Sequence, residues 1–79
     1  MDEVFKYLND KENEVTGFRF DQSSNKGLVI SMQGYKHMDL LLIRDELITK
    51  FKLKPDFKKG LEEFDSISGC TFCYFKNVY

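Results

Sequence analysis

Two runs of the chain alternate between apolar and polar positions with a period of two. In residues 15–21, Thr16, Phe18 and Phe20 fall on one side and Val15, Gly17 and Arg19 on the other. In residues 28–33, Leu28, Ile30 and Met32 oppose Val29, Ser31 and Gln33. Such alternation marks strands with one buried face. The intervening Asp21-Gln22-Ser23-Ser24-Asn25-Lys26-Gly27 is rich in turn formers. Together the three segments predict a β-hairpin.

Elsewhere the apolar positions follow the helical period. Residues 2–9 read as a short helix with Asp2 and Glu3 in its first turn, where the helix dipole favours anions. Val4 and Leu8 share a face at i,i+4. Asn9 to Glu14 is polar and reads as a loop. Residues 39–53 read best as a second helix, with Asp39 as its cap and Met38 and Ile43 as a hydrophobic staple. Leu40, Leu41, Ile43, Leu47, Ile48 and Phe51 then fall within an arc of roughly 160°. The rival reading makes residues 37–43 a strand and starts the helix near Arg44. On the long-helix reading Arg44 falls inside the apolar arc. It either snorkels to the core edge, pairs with a carboxylate, or shows that the helix starts later.

Lys54-Pro55 breaks that helix, and Pro55 suits the first turn of another. Phe57, Leu61 and Phe64 form a stripe at i, i+4 and i+7, predicting a third helix over 55–65. Gly60 inside it costs about 1 kcal/mol relative to Ala. Ser66 to Gly69 turns the chain, and Cys70 to Lys76 reads as a final strand. The expected order is α-ββ-α-α-β. It defines an α+β fold: a small two-layer sandwich, with an antiparallel or mixed three-stranded sheet and helices on one face.

Length sets the frame for function. Seventy-nine residues make one domain, 1–79, and leave no room for a barrel or doubly wound enzyme scaffold. Such a chain buries only about 60–65% of the surface its unfolded form exposes. Eight Phe and four Tyr supply large apolar areas for a small core. The longest apolar run, Leu40 to Ile43, is far short of the ~20 residues of a membrane span. The first residues have neither a basic nor an apolar signal region, so a cytoplasmic protein with reduced thiols is expected. Alanine is absent, and ten lysines stand against two arginines. That bias points to an A/T-rich genome, of the kind found in phages, mobile elements and some bacteria.

Candidate chemistry is sparse. Cys70-Thr71-Phe72-Cys73 is a C-x-x-C, but there is no second one, and His37 is the single histidine. A structural zinc site needs four ligands, and a redox pair gains its low pKa at a helix N-terminus. In a strand, i and i+3 point to opposite faces, so Cys70 and Cys73 read as structural. His37 has no partner at triad or dyad spacing and reads as a surface histidine. No phosphate-binding, dinucleotide-binding or zincin motif occurs. On a helix, Glu62, Glu63 and Asp65 would form a solvated face. No catalytic role, metal or cofactor is assigned, and the chain reads as a non-enzyme.

Charge distribution says more than the net charge of −1. Residues 50–59 carry five lysines and one acid, with Phe51 and Phe57 interleaved. Residues 1–15 carry five acids against two lysines, and residues 61–65 carry three acids and no base. On a helix over 55–65, Lys58 and Lys59 would precede Glu62 and Glu63, against the dipole. Charges placed against local stability are candidates for a partner. The last strand is apolar in both phases. A single helix layer would leave exposed either Cys73 and Phe75, with Val15 and Val29, or Phe72 and Tyr74. The alternative makes this strand central, with the N-terminal helix covering the second face.

These features favour a small intracellular protein-interaction module that binds a protein target stoichiometrically, or a second copy of itself as a homodimer. An inhibitor of a host factor, encoded by a phage or mobile element, is its most specific form. The expected partner-binding residues are Phe75, Tyr74, Lys58, Lys59, Glu62 and Glu63. The alternative is a small nucleic-acid-binding regulator using residues 50–59. The small net charge opposes it, because acidic flanks cancel the field beyond a Debye length of about 8 Å. No membrane association is expected.

Overall fold

The computed structural model describes residues 2–59 and 61–79. Its elements are α1 (Asp2–Glu14), β1 (Arg19–Ser23), β2 (Gly27–Gln33), α2 (Met38–Thr49), β3 (Lys54–Pro55), β4 (Glu63–Asp65) and β5 (Cys70–Lys76). The fold is of the α+β class with an antiparallel sheet, as the hydrophobic pattern predicts. Element order and helix number differ from the expectation.

A hairpin forms, but its first strand is shifted: it starts at Arg19 rather than Val15 and runs on through Gln22 and Ser23, which the pattern places in the turn. β1 pairs with β2 from Arg19↔Ser31 to Ser23↔Gly27. β5 then lies on the other side of β2, from Leu28↔Phe75 to Gln33↔Cys70. Beyond β5 the sheet is completed by two short pieces, β3 beside Phe75 and Lys76 and β4 beside Cys70 to Phe72. The sheet therefore has five strands rather than three, and β5 is central.

Alternation assigns the faces. Leu28, Ile30 and Met32 of β2 are buried, as are Thr71, Cys73 and Phe75 of β5. Register partners share a face, so these six side chains form one apolar layer. Val4 and Leu8 of α1 and Leu40, Ile43 and Leu47 of α2 belong to the same core. Both helices consequently cover one face of the sheet, and α1 does not shield the other. The Tyr7 hydroxyl donates to Glu46 Oε1 at 2.9 Å, joining the two helices.

α1 runs five residues past its expected end at Asn9. Residues 10–14 are Asp, Lys, Glu, Asn and Glu, exposed except for half-buried Lys11 and Glu12, and Lys11 pairs with Glu14 at 3.5 Å. Polarity alone did not end this helix. Gly17, at φ +88°, follows it and turns the chain into β1. α2 starts at Met38 rather than Asp39, and its cap is His37, whose Nδ1 accepts from Asp39 N at 3.2 Å. Met38 is exposed and makes no staple. The strand reading of 37–43 is excluded. α2 ends at Thr49 because Lys52 adopts φ +61° and Leu53 N turns back to donate to Leu47 O.

The third helix, expected over 55–65, is absent from the described residues, and Gly60 lies outside them. Pro55 instead pairs with Phe75 at the sheet edge, where its missing N–H is tolerated. Asp56 then makes a turn, its Oδ1 accepting from Lys58 N and its carbonyl from Lys59 N. This local side-chain bond competes with helix formation. The 57/61/64 stripe is therefore no helix face: Phe57 and Phe64 are exposed. Lys58, Lys59, Glu62 and Glu63 therefore do not lie on a helix, and their order opposes no helix dipole.

Candidate interaction surface

With both helices on one side, the other face of the sheet is open. Cys70, Phe72, Tyr74 and Lys76 of β5 line it, beside Val29 and Ser31 of β2. Arg19 and Asp21 lie across β2 from them, and Glu63 and Lys54 sit on the far side of β5. Phe72 and Tyr74 stack at 6.5 Å between centroids, with 23° between planes. The Lys59 ammonium lies 5.6 Å from the Tyr74 ring centre and donates to Ser24 Oγ. Partial burial, with Glu63 and Asp65 nearby, raises the Tyr74 hydroxyl above its ordinary pKa, so it remains a hydrogen-bond donor.

The six expected partner-binding residues divide. Tyr74, Lys59 and Glu63 come together on or over this face. Lys58 lies in a neighbouring cleft. Glu62 is engaged elsewhere, accepting from Arg44 Nη1 at 2.8 Å with Lys36 Nζ at 3.7 Å. Of the three accounts of Arg44, pairing with a carboxylate is the one observed. Phe75 is a correction: it is fully buried and faces the helices. The apolar ring on the open face beside Tyr74 is Phe72. Alternation in 70–76 allowed either phase, and only the register with β2 decides between them.

One end of the sheet is basic. A cleft of about 320 Å³ is lined by Asn25, Asp56, Phe57, Lys58, Lys76 and Asn77. An adjoining groove of about 220 Å³ shares Lys76 and Asn77 and adds Phe51 to Lys54. The basic segment 50–59 was legible in the sequence. Its continuation through Lys76, Asn25 and Asn77 was not, since those residues join it only through the sheet.

The two cysteines point to opposite faces, as expected for a strand. Cys73 is fully buried, and burial pushes its thiol up to about 12, with Arg44 pulling the other way. Cys70 is half-buried on the open face. Alkylation mapped by mass spectrometry is expected to modify Cys70 well before Cys73 in the native state, and both alike after unfolding. The unfolded chain ionises its thiol near pH 9 while native Cys73 holds its proton to about pH 12. Stability should accordingly fall as pH rises through that window, since the unfolded state then binds fewer protons.

No helix among the described residues is long and apolar enough to cross a membrane. No protein-family model matches the chain, and neither a curated protein nor a solved structure matches it significantly.

Proposed function

We propose that this chain is a small intracellular protein-interaction module that binds a protein target stoichiometrically through the open face of its sheet. The observation that carries the reading is the Phe72–Tyr74 stack on a face that neither helix covers. Around it lie charges of both signs: Arg19, Lys54, Lys59 and Lys76 against Asp21, Glu63 and Asp65. An aromatic centre with a mixed polar rim is the anatomy of a protein interface. A nucleic-acid platform of this kind would surround its rings with positive charge alone. The face, rather than the β1 edge, is the better surface, because Asp21 Oδ1 already occupies the Gln22 amide at 2.7 Å. The coding bias and size favour a phage or mobile-element inhibitor of a host factor.

The test is affinity capture from host lysate with the wild type and with a Phe72→Ser/Tyr74→Ser variant, followed by native mass spectrometry of the reconstituted complex. A protein retained in fixed stoichiometry by the wild type, and at least tenfold depleted by the variant, supports the reading. Equal retention by both, or nucleic acid as the only species carried, rejects it.

A further inference from the structure

The basic end of the sheet carries an arrangement that stability alone does not explain. Lys54 of β3 and Lys76 of β5 are direct register partners. Like charges placed opposite one another across a ladder are destabilising. Lys58 lines one of the two adjoining grooves and Lys52 the other. Against these four cations the groove linings contain one acid, Asp56, whose carboxylate already takes the Lys58 amide. The backbone here is also unusual. Asn25, Lys26, Lys52 and Asn77 all hold φ between 57° and 61°. A left-handed lysine is strained where glycine would not be. At the rim, Phe57 is 73% exposed, an apolar ring beside a cationic cleft.

We propose that this cleft binds an acidic peptide segment of the partner protein, with Lys54 and Lys76 as its central carboxylate contacts and Phe57 as an apolar contact at the rim. The inference rests on the reading of the chain as a protein-binding module. Carboxylates between Lys54 and Lys76 would relieve the repulsion that the free protein carries. A short peptide suits the site better than a phosphate chain. The run of unmixed positive charge is short, spanning two adjoining grooves, and on the open face Arg19 and Lys59 are interspersed with Asp21, Glu63 and Asp65. Single-stranded nucleic acid is held instead by a positive groove that follows its backbone.

The experiment titrates the protein into fluorescein-labelled peptides of about ten residues, spanning roughly 30 Å when extended. One alternates Glu with Leu, a second replaces every Glu by Gln, and labelled oligothymidylate of similar length is the third probe. Expected is binding of the Glu peptide at least tenfold tighter than of the Gln peptide, weakening as salt is raised. Lys54→Gln/Lys76→Gln should reduce that affinity about tenfold while leaving the Tm of the free protein unchanged or higher. Loss of binding without loss of stability is a signature a merely structural pair would not give. Equal binding of the Glu and Gln peptides, an unchanged affinity in the double variant, or tighter binding of oligothymidylate would overturn the proposal. The probe is supplied directly, so such a failure leaves the open-face reading standing. Loss of capture by the Phe72/Tyr74 variant is likewise independent of this titration.

Discussion

Phe75→Asp is expected to prevent folding, and Phe75→Ala to lower stability by about 3–5 kcal/mol. The ring is fully buried between register neighbours Leu28 and Pro55, on the central strand and facing both helices. A domain of this size has roughly 4–12 kcal/mol of stability in total. The alanine variant therefore removes a large share of it, and a Tm lower by roughly 15–30 °C is expected. A carboxylate at the same place would sit in the apolar layer, which a small core cannot absorb. Circular dichroism during thermal and urea unfolding reads both variants. Tyr74→Ala is the control. Its ring lies on the open face, so its loss should change stability by about 1 kcal/mol or less. Equal destabilisation by Phe75→Ala and Tyr74→Ala would mean that the faces of β5 are wrongly assigned.

Neighbouring residues on one strand thus have opposite fates, and the sequence does not contain the information that separates them. β1 and β2 were legible because each has only one apolar side, so burial dictates its phase. β5 is apolar on both sides, and Leu28↔Phe75 register, a long-range fact, fixes which side is covered. The failure over 55–65 has a different origin. Phe57, Leu61 and Phe64 have helical spacing, but spacing alone is weak where local bonds compete. Asp56 is placed to close a turn on Lys58, and Pro55 can close a sheet edge. Both residues are ambiguous until β5 is in place to receive them. α1 erred in the opposite direction: a polar run on a solvent-facing helix looks like a loop when only apolar periodicity is counted. The candidate surface inherits the same pattern. Lysines contiguous in sequence were found, and Lys76, Asn25 and Asn77, which complete the basic cleft, were not.

Arg44→Leu and Glu62→Leu are each expected to cost about 1–3 kcal/mol, and the double substitution less than the sum of the two. Arg44 is only 17% exposed and Glu62 only 20%, and their 2.8 Å contact ties the segment before β4 to α2. Removing one partner leaves the other largely desolvated, which is the expensive half of breaking a buried pair. The upper figures of 3–5 kcal/mol known for such pairs should not be reached, because each side has a second partner. Arg44 retains Asp45 at 3.0 Å, and Glu62 retains Lys36 at 3.7 Å. Replacing both removes the orphaned charge and leaves two apolar side chains beside buried Cys73. In a double-mutant cycle by urea unfolding, the double variant should therefore be less destabilised than the sum of the two singles by about 1 kcal/mol or more. Hydrogen exchange adds the local consequence. Amides of β4 are held to the sheet by only three register pairs, so they should lose protection in either single variant while β2 and central β5 keep theirs. Strict additivity, or loss of protection spread evenly over the sheet, would show that the Arg44–Glu62 contact does not fasten this edge.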